Sequence, residues 1–452
     1  MLRRFDQALP RLSLQNRHRA EAILAIAIPA GLNSLLDVLS IAIDLLMVGM
    51  ISTEATVAVG VGLNYFMLIY VVTTVFFVGT NAMVSRFFGA KDFKAANEAF
   101  SSMALAALGV GVPLFGAAFF SYEGFFDLIG TSSEAKRLGL EYLSILIFVA
   151  PVFVLKTVMV SALSASGDTK TPFVIKLLSS LLNALLNYLL IFGKAGFPEL
   201  GVSGAAFSTL VVNILELLIL TYLFWRGKKS VAWSGKVSLD YIKRGVKVGL
   251  PSGAERCLTI VSILVITKLV ASYGTPELAG YQIAVRIEGF AFMPGFGFMV
   301  AAMTLVGQNL GAKNPSEAEA CVRATLWLGG IFMGILGLWM IFIPEVLTGF
   351  FSQDAETITL GALYLWMIGF SQIPLAMVFI LDGALRGAGA TKVTLWVNAL
   401  SIWGIRIVPA IFIASRGYPL GWIYALLSLE TFWRAWIFWT LFKRGIWKGV
   451  NI

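Results

Sequence analysis

Twelve stretches of about twenty predominantly apolar residues follow one another along this 452-residue chain. Each is long enough to cross the hydrocarbon core of a bilayer as a helix. Inside lipid a backbone must satisfy its own N–H and C=O groups, so helices are the natural outcome of such runs. The pattern predicts an all-α membrane protein and excludes a soluble enzyme with one large core. Composition agrees: 58% of residues are hydrophobic and 13% are charged, where a soluble domain carries about 25% charged residues. Mean hydropathy is +0.85. The first six spans are expected near 22–48, 55–81, 94–119, 138–160, 170–193 and 203–225. The second six are expected near 246–271, 278–306, 318–343, 360–382, 392–414 and 420–442.

Between the sixth and seventh spans lies RGKKSVAWSGKVSLDYIKRG, residues 226–245, a strongly basic connector that halves the chain. The expected organisation is an N-terminal lobe at 1–225, a cytoplasmic linker at 226–245 and a C-terminal lobe at 246–452. The leader up to Glu21 is basic, and the apolar run after it is too long for a signal-peptide core. With the N-terminus in the cytoplasm, Lys and Arg concentrate on that side. Only Lys136, Arg137, Lys194 and Arg416 fall in connectors on the other. The positive-inside rule then puts both termini in the cytoplasm of a multi-pass inner (plasma) membrane protein. The net charge of +9 reads as a topological signal, not as a nucleic-acid patch. Cys257 and Cys321 form no CxxC pair, and the lone His18 lies in the leader, so neither a disulfide framework nor a zinc site is suggested.

The halves repeat. Ile28-Pro29-Ala30-Gly31 recurs as Leu250-Pro251-Ser252-Gly253, and Phe88-Gly89-Ala90-Lys91 as Leu310-Gly311-Ala312-Lys313. Gly167-Asp168-Thr169-Lys170 recurs as Gly389-Ala390-Thr391-Lys392, all at an offset of 222. Each half holds an even number of spans, so the repeats are parallel. They predict two pseudo-symmetric six-helix lobes related by an axis along the membrane normal.

Ionisable residues inside spans mark function, because a carboxylate at mid-membrane costs about 2.5–3.5 kcal/mol on insertion scales. The first span carries Asp37 and Asp44, seven positions apart on nearly one helix face. Pro29, and its twin Pro251 in the seventh span, are candidate hinges, since proline removes a helix hydrogen bond. The seventh and eighth spans carry Glu255-Arg256 and Arg286-Ile-Glu288. Helix rise brings both glutamates near mid-depth, as a second protonation site or an ion-pair cluster. Lys156, Lys176 and Lys268 are expected to snorkel from span ends. Arg406, Glu430 and Arg434 are expected to pair, and Glu216 to face a cavity. Gly289–Met299, GFAFMPGFGFM, is expected to distort the eighth helix and offer an adaptable aromatic and methionine wall.

The chain resembles the multidrug and toxic compound extrusion (MATE) family, within the group that includes lipid-linked and polysaccharide flippases. The resemblance rests on Asp44-Leu-Leu-Met-Val-Gly49, on GTNAMVSRFFGA (Gly79–Ala90) with LVGQNLGAK (Leu305–Lys313), and on SALSASGDTKTP (Ser161–Pro172) with GALRGAGATK (Gly383–Lys392). It extends to Asn183-Ala-Leu-Leu-Asn187-Tyr188 and Gly201-Val-Ser-Gly-Ala-Ala206. It implies a MATE-like fold and export of cationic or amphiphilic small molecules, driven by inward H+ or Na+. A lipid or lipid-linked-precursor flippase is the alternative within the same superfamily. The resemblance also implies an N-lobe cation or proton site at Asp44, Asn183, Asn187 and Thr209, with Asp44, Asn187 and Thr209 as the Na+ candidate ligands and Asp37 nearby. Carboxylate, amide and hydroxyl oxygens are hard donors suited to an alkali cation. Some relatives carry an Asp where this chain has Asn187. Where drug/sodium relatives carry a tenth-span acid, this chain has Leu375. In its place stand Glu255, Glu288, Arg256 and Arg286.

No GxxxxGK[ST] phosphate loop is present, which disfavours ATP-driven pumping. The loop motif usual in major-facilitator transporters is absent as well. No His, Asp or Glu cluster at one membrane face suggests a membrane enzyme. The expectation is a non-enzymatic transporter without a cofactor, a monomer in the bilayer, with H+ and/or Na+ as coupling ion and no nucleic-acid partner.

Overall fold

The computed structural model describes residues 2–227, 230–450 and 452, with side chains from residue 17 onward. Among the described residues every regular element is a helix. In chain order they are α1 (Leu2–Gly49), α2 (Thr53–Gly89), α3 (Phe93–Ile129), α4 (Ser133–Leu146), α5 (Val149–Ala165), α6 (Lys170–Phe192), α7 (Val202–Trp225) and α8 (Leu239–Ala271). The second half comprises α9 (Thr275–Gly311), α10 (Pro315–Phe342), the short α11 (Pro344–Gly349), α12 (Ala355–Gly369), α13 (Gln372–Gly387) and α14 (Thr391–Ala399). A π-helical stretch (Leu400–Ile407), α15 (Val408–Ser415) and α16 (Gly421–Lys443) complete it. Among the described residues, eight helices are by themselves long and apolar enough to span a membrane, and ten if each of two bent pairs counts as one. The rods left outside that count, α8 and α16, carry Glu255-Arg256 and Glu430 with Arg434 inside them.

Polar caps fix where several of the helices begin. Ser52, Asp92, Asn314 and Asp354 each accept a hydrogen bond from the third backbone N–H beyond, satisfying an orphan donor. Hydrogen bonds from Thr357 hold the Asp354 carboxyl below the usual carboxylate range.

The 222-residue offset is built into the backbone. α2 and α9 begin and end at equivalent positions. Lys91 and Lys313, equivalent residues in the turns after them, both adopt positive φ, 59° and 55°. The fourth and tenth spans, expected as single helices, are each broken. α4 and α5 meet at 48°, α12 and α13 at 58°. Pro151 and Pro374 sit just past the two breaks and lack the N–H that would bridge them. α9, by contrast, runs through Pro294 as one helix.

Packing divides the chain into two compact units, Asn33–Gly253 and Met1–Leu32 with Ala254–Ile452. We call them the N-terminal and C-terminal units. The boundaries fall within three residues after Pro29 and Pro251, not in the connector that separates the repeats. In the C-terminal unit the start of α1 lies on α9. A Cβ at Gly297 would come within 2.2 Å of the Ala27 carbonyl oxygen, so only glycine allows this approach. In the N-terminal unit the start of α8 lies on α2 in the same way, with Gly253 against Val75, the residue equivalent to Gly297.

The connector is fastened to the N-terminal unit. Trp233 packs on Phe100 and Phe224. The N–H groups of Ala232, Ser234 and Ser238 donate to Asn97, Ser101 and Ser102 on α3. In the C-terminal unit the tail after α16 buries Trp447 against Phe442.

Candidate cation site and buried charge networks

In the N-terminal unit, α7 approaches the end of α6 closely because Gly204 has no Cβ. A Cβ there would meet the Leu190 carbonyl oxygen at 2.7 Å. One turn further on, Ser208 donates to Asn187 Oδ1 and accepts from Asn183 Nδ2 at 3.4 Å. Asn187 Nδ2 in turn donates to Asp44 Oδ1 at 2.5 Å. Asp44, Asn183, Asn187 and Ser208 are all buried. Thr209 lies beside Asp44, and its buried hydroxyl completes no hydrogen bond of normal geometry. Asp44, Asn183, Asn187 and Thr209 therefore share one site, joined by Ser208, which the sequence reading missed. All the acceptor atoms are oxygen, and the Thr209 hydroxyl adds a buried one beside the Asp44 carboxylate. This donor set fits a small alkali cation, and its carboxylate fits a proton. Among the described residues no group of three or more His, Cys, Asp or Glu is placed to hold a metal ion.

Asp37 belongs to a different network. Its carboxylate, 45% exposed, pairs with Lys176 Nζ at 2.7 Å. Lys176 lies 3.9 Å from Glu216. Glu216 also accepts from Lys156 and from Ser179, and Lys156 donates to Asn213 Oδ1 at 2.5 Å. Lys156 and Lys176 thus do not snorkel as expected. Their ammonium groups turn inward because Glu216 and Asp37 offer charge-assisted bonds at that depth. Lys268 is exposed at the end of α8. Asn33, Asp37, Lys156, Lys176 and Glu216 line a cavity of about 210 Å³, with Phe77 and Phe153 as its apolar wall.

The C-terminal unit does not bring Glu255, Glu288, Arg256 and Arg286 together. Arg256 and Arg286 are exposed. Glu255 instead accepts from Arg386 at 2.7 Å and from Asn398 at 2.8 Å. Arg386 also pairs with Asp382 at 2.7 Å. Arg434 donates to Asn398 and pairs with Glu430, which also binds Arg406. This last trio matches the pairing expected from the sequence, and Arg406 sits on the π-helical stretch. Glu288 accepts from Tyr364 Oη at 2.6 Å. The partners Arg386, Asn398 and Tyr364 come from helices more than seventy residues away from the acids they bind, and no local pattern marks them.

Two sets of helical rods built on one repeat, with ionisable residues buried in each unit, define a polytopic membrane transporter. The model of the family described as MatE matches residues 29–189 and 251–412. The chain belongs to that family. A second model, for the lipid II flippase MurJ, matches residues 140–276. Among curated relatives, a probable multidrug resistance protein NorM of Thermotoga maritima is 28% identical, over 94% of this chain and 92% of that protein. The multidrug resistance protein PmpM of Pseudomonas aeruginosa is 26% identical, over 98% of this chain and 91% of that protein. Among solved structures, a MOP superfamily transporter from Pyrococcus furiosus, described as having a binding pocket of reverse polarity, superposes with a TM-score of 0.88. It covers 96% of this chain and 97% of that one at 20% identity. A multidrug resistance MATE family transporter described as outward-facing gives the same TM-score, 0.88, at 20% identity, over 96% of this chain and 97% of that one. At that identity the likeness is one of fold.

Proposed function

We propose that the chain is a secondary active multidrug efflux antiporter. It exports organic cations or amphiphiles in exchange for H+ or Na+ by alternating access, as a monomer in the inner membrane with both termini cytoplasmic. The observation that carries this reading is the buried Asp44 carboxylate, bound by Asn187 and flanked by Thr209, on a helix whose packing changes unit just past Pro29. A proton or Na+ arriving at Asp44 neutralises its charge and weakens its hold on the Asn187 amide. The first helix then bends at Pro29, where the ladder already lacks a bond, and the cationic cargo is expelled. The NorM and PmpM relatives are named as multidrug resistance proteins, which supports drug export.

The test is ethidium efflux from proteoliposomes under separately imposed Na+ and H+ gradients. One gradient is expected to drive export, and Asp44→Asn to reduce it to the level of empty vesicles. Full gradient-driven efflux by Asp44→Asn would refute the site. A second reading, a flippase for lipids or lipid-linked precursors, is favoured by the MurJ match. It predicts transfer of a fluorescent anionic lipid between leaflets without ethidium export.

A further inference from the structure

Position by position, the C-terminal unit lacks the N-terminal cation site. At the 222-residue offset Asp44 becomes Ile266 and Asn187 becomes Pro409. One member is retained. Tyr142, buried and within electrostatic reach of Asp44, becomes Tyr364, equally buried, which donates to Glu288. The acid facing this tyrosine has moved from the first helix of the repeat to the second, where the N-terminal unit has Phe66.

Charge counting singles out the same residue. Among the described residues, the ion pairs made by buried acids of the C-terminal unit join Asp382, Glu255 and Glu430 to Arg386, Arg434 and Arg406. These three acids and three arginines balance. Glu288 is a fourth buried acid, and no ion pair within salt-bridge distance includes it. The groups facing it are Tyr364 from α12 and the more distant Arg406 from the π-helical stretch. Tyr281 on its own helix and Tyr424 on α16 meet the Tyr364 ring edge-on, and the Tyr424 hydroxyl is buried and unpartnered. A carboxylate there would be a charge in a low-dielectric interior, held by one tyrosine hydroxyl, with the nearest arginine, Arg406, already committed to Glu430. Neutralisation is the cheaper state.

We propose that Glu288 is a second proton-binding site, the C-terminal unit's counterpart of Asp44, which carries its proton while bonded to Tyr364 and gives it up during transport. It does not use the tenth-span position, which holds Leu375. The coupling role rests on the antiport reading, whereas the protonated carboxyl can be tested without transport. Infrared difference spectra of the purified chain in lipid, recorded from acid to alkaline pH, detect buried carboxylic acids directly. A carbonyl band is expected that disappears in Glu288→Gln, shifts to higher frequency in Tyr364→Phe through loss of the donated hydrogen bond, and survives in Asp44→Asn. The absence of such a band, or its persistence in Glu288→Gln, would overturn the proposal. Circular dichroism establishes that each variant is folded. In proteoliposomes that export ethidium, Glu288→Gln is expected to lower the coupling-ion-to-substrate ratio, measured as the reversal potential, by one. An unchanged ratio overturns the coupling role, and a loss of all efflux in the parent chain overturns the antiport reading alone.

Discussion

The two units share a backbone plan and bury charge in different ways. In the N-terminal unit Asp37, Lys176, Glu216 and Lys156 form a balanced set along a polar cavity. In the C-terminal unit the buried charges stand at other positions and are packed between helices. The cleft of about 250 Å³ found there is apolar instead, lined by Phe290, Trp339, Met340, Phe350 and Phe351. At the repeat offset every charged member of the N-terminal set is replaced: Asp37 by Thr259, Lys156 by Val378 and Glu216 by Phe438. Lys176 is replaced by Asn398, which bridges Glu255 and Arg434 where the lysine bridges Asp37 and Glu216. Asn33 at the cavity rim is replaced by Glu255. Repeated architecture fixes where polar groups can meet, and side-chain identity decides whether they make a solvated pocket or a static lock.

The contrast is sharpest in stability. Glu430→Gln removes the carboxylate that Arg406 and Arg434 share, and loss of one partner from such a buried set costs about 3–5 kcal/mol. Glu216→Gln is expected to cost less, about 1.5–3 kcal/mol for lost charge-assisted bonds. Lys156 keeps Asn213, Lys176 keeps Asp37, and cavity water can solvate both. Thermal unfolding in detergent measures the two side by side. Equal losses would break the distinction between an open and a packed cluster.

Two smaller effects test the N-terminal unit alone. Ser208→Ala removes the bridge to Asn187 and is expected to lower stability by about 1 kcal/mol, with a weaker response of efflux to the driving ion. Lys176→Gln leaves the half-exposed Asp37 without its counter-charge. It is expected to tighten binding of a cationic dye by up to about fivefold, the equivalent of about 1 kcal/mol. Equilibrium dye binding reads this directly. Weaker binding would show that Asp37 does not face the cargo.

Some of the site was legible. Asn183 and Asn187 are four apart on one helix, so their shared face followed from helical period. The pairing of Arg406, Glu430 and Arg434 followed from their rarity inside spans. Ser208 did not stand out, because serine is common in helix starts and its neighbour Thr209 drew the same argument. Arg256 and Arg286 were natural partners for the adjacent glutamates in sequence. Helical residues one and two apart point about 100° and 200° away from each other, however, and both arginines turn outward. The bends in the fourth and tenth spans had a sequence signal, Pro151 and Pro374, that hydropathy windows average away.

The sequence by itself determined the helical class, the order of the rods, the repeat and the presence of ionisable groups at membrane depth. These depend on local periodicity, on chain length against bilayer thickness, and on comparison of one half with the other. Only the tertiary structure decided which acid meets which base. That choice depends on the rotation and depth of helices far apart in the chain. A shift of one residue moves a side chain about 1.5 Å along the axis and 100° around it. Such a shift is enough to give Glu255 an arginine and leave Glu288 with a tyrosine.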